Sequence, residues 1–254
     1  MSFRDHFSKV ASGYAAYRPR YPAALFDFLA EHAPGRSLAW DCACGNGQAT
    51  LDIAERFEHV IGTDPSEAQI SEAPPHPRIE WRVAPGEQSG IPDDTCDLVT
   101  VAQALHWLDI DAFFREAARA TRPAGLVAVW TYGDVRLDEA DADAVVRHFA
   151  RRTVGPYWPP QRRIVDDGYR SVTMPFPELE VPTFEMDDRW TLEQLLGYVR
   201  TWSATTRYRE ALHEDPTIDL AARLGPLWGD PDDPRRVWWP LTVRAGVTAT
   251  STED

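Results

Sequence analysis

Asp41-Cys42-Ala43-Cys44-Gly45-Asn46-Gly47-Gln48 is the stretch whose reading decides the fold. An apolar run over 37–42 ends in an acid, two glycines follow, and a helical pattern begins at Gln48. Glycines allow a tight turn and a close approach of ligand to backbone. The helix start behind them offers unsatisfied N–H groups to an anion. Dinucleotide sites use the same geometry, so the glycines alone do not identify the ligand. Two details discriminate. The third glycine of a G-x-G-x-x-G fingerprint is replaced by Thr50, and Asp41 ends the strand just ahead of the loop. A carboxylate there repels a pyrophosphate and suits a ligand that carries positive charge.

Outward from this loop, helical and strand patterns alternate. The periodicity predicts a helix over 21–32, with Pro22 at its start, and a second helix over 48–57. A strand follows over 59–63, then a helix capped by Ser66 to about residue 73. Strands are expected over 79–83, 96–102 and 126–130. A helix from Asp109 to Arg122 should precede the last of these and end at Pro123-Ala124-Gly125. This order predicts an α/β class, a Rossmann-like doubly wound, mostly parallel sheet with helices on both faces. Late strands over 184–190 and 236–245 would bring the sheet to seven strands. A helix is expected over 192–212, and the Pro- and aromatic-rich stretch 154–182 reads as a lid or connection within a C-terminal helical insertion. The expected organisation is an N-terminal helical cover over 1–35 and a cofactor-binding core over 36–135. Acceptor-side helices, lid and final strands fill 136–246, and 247–254 is a polar tail.

In such sheets ligands sit beyond the carboxyl ends of the strands. Asp64 ends the second strand, where a carboxylate can accept from both hydroxyls of a ribose. S-adenosylmethionine has the required parts: a ribose, an ammonium group and a sulfonium. The expected cofactor is therefore S-adenosyl-L-methionine.

The region 36–131 resembles class I S-adenosylmethionine-dependent methyltransferases. The whole chain is similar to a narrower branch containing fungal trans-aconitate methyltransferases. The matching segments are Tyr17-Arg18-Pro19-Arg20-Tyr21-Pro22, the loop Asp41–Gly47, Ala104-Leu105-His106-Trp107-Leu108-Asp109, Val129-Trp130-Thr131-Tyr132, Gly155-Pro156-Tyr157-Trp158 and Tyr198-Val199-Arg200-Thr201-Trp202-Ser203. The resemblance implies that Asp41, Ala43, Gly45 and Gly47 line the methionine part and that Asp64 holds the ribose. It places Pro65 beside the adenine and makes 84–87, with Gly86 and Glu87, the adenine loop. Relatives carry Asp where Pro85 stands, which leaves the adenine amino group to Glu87 or to a backbone carbonyl. Gln103 would face the sulfonium side. Tyr14, Tyr17 and Arg18 would lie in a segment that covers the cofactor.

Methyl transfer is an in-line displacement at an already activated carbon, so alignment and exclusion of water are the protein's main tasks. A carboxylate acceptor needs no base, whereas a hydroxyl, thiol or carbon acceptor does. His106, just past the fourth strand, is the candidate catalytic residue. Arg18 and Arg200 are candidates to clamp a carboxylate. Trp107, Tyr132 and Trp158 are candidates to line the acceptor pocket, with Trp130, Tyr157 and Trp202 as further aromatic walls.

Composition narrows the partners. The 254 residues carry a formal charge of −14, with Lys9 the sole lysine. No basic run faces phosphate, which excludes nucleic acid as the expected partner. No apolar run suits a membrane span or a secretory signal, so the expected location is cytoplasmic. The three cysteines, Cys42, Cys44 and Cys96, fit reduced buried thiols, and no metal-ligand cluster is present. A small-molecule acceptor is expected; monomer and homodimer stay open. Three other readings compete: cyclisation or cleavage of the cofactor on the same fold, nicotinamide-dependent oxidation, and a non-catalytic cofactor-binding partner. Asp41 and the missing third glycine weigh against the nicotinamide reading.

Overall fold

The computed structural model describes residues 19–250. They divide into two compact units. One unit comprises 21–132, 164–184 and 241–250, and the other holds 133–163 and 185–240 with residues 19–20.

The first unit is built on a six-stranded sheet. Its strands are β1 (Leu38–Cys42), β2 (His59–Asp64), β3 (Ile79–Val83), β4 (Cys96–Ala102), β5 (Thr121–Tyr132) and β9 (Leu241–Val247), in the order β3-β2-β1-β4-β5-β9. The first five run parallel, and β9 pairs antiparallel with β5. This is a Rossmann-like, mostly parallel α/β fold. Helix α1 (Ala23–His32) leads into β1, and α2 (Gln48–Ala54), α3 (Glu67–Ser71) and α4 (Ile110–Ala120) connect later strands. β4 is buried on both faces, as strands between two helical layers are, which is why it reads as a continuous apolar run. Trp40, Val99, Val101, Phe113, Val127 and Val129 form the centre of its core.

The local elements follow from their residues. Leu25, Phe26, Phe28 and Leu29 are buried along α1. The Asp109 carboxylate accepts from the Ala112 N–H and caps α4, whose Phe113, Phe114, Ala117 and Ala120 face inward. α4 stops at Ala120, earlier than the expected Arg122, because the chain turns extended at Thr121 and its hydroxyl donates to the Ala117 carbonyl. Pro123-Ala124-Gly125 is therefore no helix terminator. It lies inside β5, at a register shift where Cys96 pairs Thr121 and Leu98 pairs Leu126.

The late strands differ from expectation. β7 (Met186–Trp190) and β8 (Arg235–Trp239) form a separate three-stranded sheet with β6 (Arg136–Leu137), in the order β6-β8-β7. Pro240, which has no N–H for a ladder, separates β8 from β9, and only β9 joins the main sheet. The main sheet therefore has six strands, not seven. The other unit also holds α5 (Ala140–His148), α7 (Leu192–Arg200), α8 (Ser203–Leu212) and α9 (Thr217–Trp228). The single helix expected over 192–212 is two, α7 and α8, broken where Trp202 turns extended.

The stretch after the short helix α6 (Arg162–Asp166) packs into the first unit's core through Tyr169, Val172 and Phe176. Arg244 on β9 fastens it. Its guanidinium donates to the carbonyls of Tyr169 and Val172, both at 2.6 Å, and pairs with Glu178 at 2.7 Å. No helix among the described residues is long and apolar enough to cross a membrane.

Candidate functional site

The strand order reverses about β1 and β4, so the chain leaves neighbouring strands on one edge. Cys42 pairs with Thr63 of β2 and with Val101 of β4, and Asp64 pairs with Val83 of β3. The loops after these strands thus share the switch-point edge where α/β sheets bind ligands.

The loop after β1 is held from below. Asp41 is fully buried, and its two carboxylate oxygens accept from the Thr50 hydroxyl at 2.6 Å and the Thr100 hydroxyl at 2.8 Å. Burial pushes this carboxyl up to about 6, partly offset by the two hydroxyls. Its two oxygens are thus held by hydroxyls of α2 and β4 at the foot of the loop. Above it the backbone takes left-handed conformations at Ala43, Gly45 and Gly47, with φ of 54°, 58° and 95°. Gly47 needs its missing side chain twice over. Its φ is unfavourable for other residues, and a Cβ there would clash with the Trp81 ring.

Asp64 ties the loop to β2. One oxygen accepts from the Gly45 N–H at 2.9 Å and the other from the Ser66 N–H at 2.8 Å. The first loop glycine thus points its N–H at a carboxylate, an arrangement unsuited to cradling a pyrophosphate. A carboxylate at the end of β2 is the kind of acceptor that suits the hydroxyls of a vicinal diol such as a ribose. Pro65 follows directly, and Val83 beside Asp64 is 54% exposed, an apolar surface at the end of β3. In the next loop, Gly86 is buried against Cys42 and Leu108, and Glu87 accepts from the Asp109 N–H at 2.8 Å. Glu87 therefore braces the start of α4.

At the end of β4, Gln103 adopts a φ of 55° and turns its side chain onto β5. Its Oε1 accepts from the Tyr132 N–H and the Thr131 hydroxyl, both at 2.7 Å, and its Nε2 donates to the Tyr132 carbonyl at 3.2 Å. His106 follows in a 3₁₀ turn, Leu105–Trp107. Its Nδ1 lies 3.0 Å from the Tyr169 hydroxyl, and its ring is tilted on Trp107 at 4.8 Å. His106, Trp107, Gln103 and Tyr132 therefore sit at the carboxyl ends of β4 and β5.

The remaining acceptor candidates belong to the other unit. Trp158 is packed on Trp202 at 5.6 Å, covered by the Arg162 guanidinium at 4.3 Å, and donates to the Ala150 carbonyl. Arg200 ion-pairs with Glu193 at 2.6 Å on an exposed face of α7. Tyr14, Tyr17 and Arg18 lie outside the described residues. Thr50, Thr100, Trp81, Thr131 and Tyr169 were not singled out from sequence. Thr100, 59 positions from Asp41, and Tyr169, 63 positions from His106, are brought in only by strand order and packing.

Comparison with known proteins agrees with this geometry. A family model described as a methyltransferase domain matches residues 40–129. A Dictyostelium discoideum protein named as a methyltransferase is 32% identical over 225 residues, 87% of this chain and 86% of its own length. The methyltransferase cfoB of Aspergillus candidus is 27% identical over 76% of this chain and 67% of its own length. A solved structure named as a type II methyltransferase from Anaeromyxobacter dehalogenans is 46% identical, covers 92% of this chain and 100% of its own, and superposes with a TM-score of 0.87. With these matches, a Rossmann-like sheet and an acid-flanked glycine loop at its switch point, the chain belongs to the class I S-adenosylmethionine-dependent methyltransferases.

Proposed function

We propose that this enzyme methylates a small organic acceptor, with carboxylates the first class to test, as in the branch that includes trans-aconitate methyltransferases. The observation that carries the proposal is the switch-point edge, where the glycine loop and Asp64 stand with His106. A half-buried imidazole stands one turn past β4, at the edge that also carries the glycine loop and Asp64. When bound, S-adenosylmethionine supplies a methyl group already activated by its sulfonium. Around it, Asp41, Ala43, Gly45 and Gly47 would line the methionine part. Asp64 takes the ribose hydroxyls, Pro65 and Gly86 flank the adenine, and Gln103 faces the sulfonium side. Glu87 holds the adenine loop to α4. Tyr14 and Arg18, outside the described residues, are the candidates to cover the cofactor; Trp107 and Tyr132 are acceptor candidates on the first unit, and Trp158 and Arg200 are acceptor candidates on the other.

The chemistry asked of the chain is modest. The acceptor's lone pair forms the new bond to the methyl carbon, and the C–S pair returns to sulfur. A carboxylate acceptor has no proton to lose, and Arg200 would orient it. A hydroxyl or thiol acceptor loses its proton to the His106 imidazole. A labelled-methyl transfer screen over organic acids, phenols and thiols tests this. Label in a small carboxylate ester is the expected result. Transfer only to macromolecules, or an acceptor-free product of the cofactor, overturns it.

A further inference from the structure

Trp81, Gly62, Asp41 and Thr100 stand in one row across β3, β2, β1 and β4. Side chains in such a row share one face of the sheet. It is the face under α2, because Asp41 there accepts from the Thr50 hydroxyl. Gly62 leaves a gap in the row, and the Trp81 indole fills it. A Cβ on Gly62 would stand 2.7 Å from both Cε3 and Cζ3 of the ring. The backbone of Gly62 is ordinary strand, so the obstacle to a side chain there is this ring and not the dihedral angles.

The same benzo edge reaches the cofactor turn. The three atoms nearest a Cβ on Gly47 are Cη2, Cζ3 and Cζ2 of Trp81, so the ring lies directly against the residue that opens α2. The opposite edge is anchored, with Nε1 donating to the Pro74 carbonyl at 3.0 Å. A rigid bicycle held in this way cannot move off one glycine without changing what the other rests on. The first half of the turn has its own ties to β2. The Cys44 N–H donates to the Thr63 carbonyl at 3.0 Å and the Gly45 N–H to Asp64 at 2.9 Å. Gly47 gives its N–H to the Cys44 carbonyl, inside the turn, and what meets it from the sheet is the indole.

We infer that Trp81 is a positioning residue for the cofactor: its indole, seated in the slot left by Gly62, sets the place of Gly47 and so the shape of the turn that takes the methionine part. The inference rests on the assignment of that turn proposed above. A methyl group at Gly62 would force the ring back by about 0.7 Å to reach ordinary contact. Binding groups tolerate displacements of only about 0.5 Å, so a change buried within β2 should be felt at the ligand.

The test is calorimetry of the full chain with S-adenosylmethionine and S-adenosylhomocysteine. The variants are Trp81→Val, Gly62→Ala and the two combined, with Asp64→Ala as reference and thermal melts to choose a temperature at which each is folded. Valine suits a strand and removes the ring. Trp81→Val and Gly62→Ala should each weaken both ligands on the order of five-fold. In the double variant the added methyl has no ring to push, so Gly62→Ala should cause no further loss. A merely structural role would lower the melting temperature and leave the affinities of the folded variants unaltered, and that result overturns the inference. So does a loss from Gly62→Ala that is as large without the ring, since it would run through the Cys44 sulfur, 3.2 Å from the same Cβ. If Gly62→Ala alone does not fold, Trp81→Val and the double variant still decide, equal and weakened affinities being the expected result. If Asp64→Ala weakens binding while the Trp81 and Gly62 variants bind as wild type, the inference falls and the assignment of the site stands. If none of the variants alters affinity, both fall.

Discussion

Replacing Asp41 with Asn should change how stability depends on pH, and the size of the change follows from burial. The carboxyl is fully buried, and burial raises its pKa from 3.8 to about 6. A carboxyl whose folded pKa lies above its unfolded value binds its proton more tightly in the fold. The stability this contributes is complete below about 3.8 and is lost as pH rises through about 6. Between about pH 5 and about pH 8 the wild-type chain should therefore lose about 1.5 kcal/mol at this one site. Asp41→Asn titrates nothing. Its amide keeps an acceptor for one threonine hydroxyl, and Thr100 has a second acceptor in the Trp40 carbonyl at 3.4 Å. Urea unfolding of both proteins across this range isolates the effect, because every other titrating group cancels in the difference. The variant's stability relative to wild type should climb by about 1.5 kcal/mol with rising pH. A difference that stays flat, or falls, refutes the claim that Asp41 is held in a site hostile to its charge.

Other outcomes follow from single contacts. Asp64→Ala removes the acceptor for the Gly45 and Ser66 N–H groups and the proposed ribose contact; calorimetry should show S-adenosylmethionine binding weakened by at least about ten-fold. Gly47→Ala combines a φ of 95° with a clash against Trp81, so thermal or urea melts should show a loss of about 2–4 kcal/mol. A second change, Trp81→Ala, should recover part of that loss. Arg200→Ala breaks an exposed pair with Glu193 and should cost under about 1 kcal/mol of stability. Any large loss of transfer to a carboxylate in that variant then reports the acceptor contact.

The parallel half of the fold was legible because its strands are buried on both faces. Val60-Ile61 and Cys96-Asp97-Leu98-Val99 announce themselves as short apolar runs between turns, and Ser66 and Asp109 announce helix starts. The β8–β9 break was harder, because 235–247 is one apolar-rich stretch in which only Pro240 marks the change of sheet. The acids of the site were legible by position, but what each carboxylate touches was not. Asp41 accepts from Thr50 and from Thr100 of a neighbouring strand, and no spacing rule encodes that pairing. Tyr169 was invisible for a similar reason. It lies in a Pro-rich stretch without periodicity, and its place beside His106 depends on Arg244 of the last strand holding the segment down.

Arg244 and its strand have a bearing on how the molecule is made. β9 covers the outer edge of β5, and both it and the guanidinium that gathers Tyr169, Val172 and Glu178 come from residues beyond 240. During synthesis the first five strands can assemble, but β5 stays an open edge until the ribosome has released β9. For that interval the nascent sheet offers Leu126 to Tyr132 as a template to any other strand, including the same segment of a second nascent copy. The enzyme's vulnerability to misassembly is thus concentrated in the interval between the emergence of β5 and that of β9.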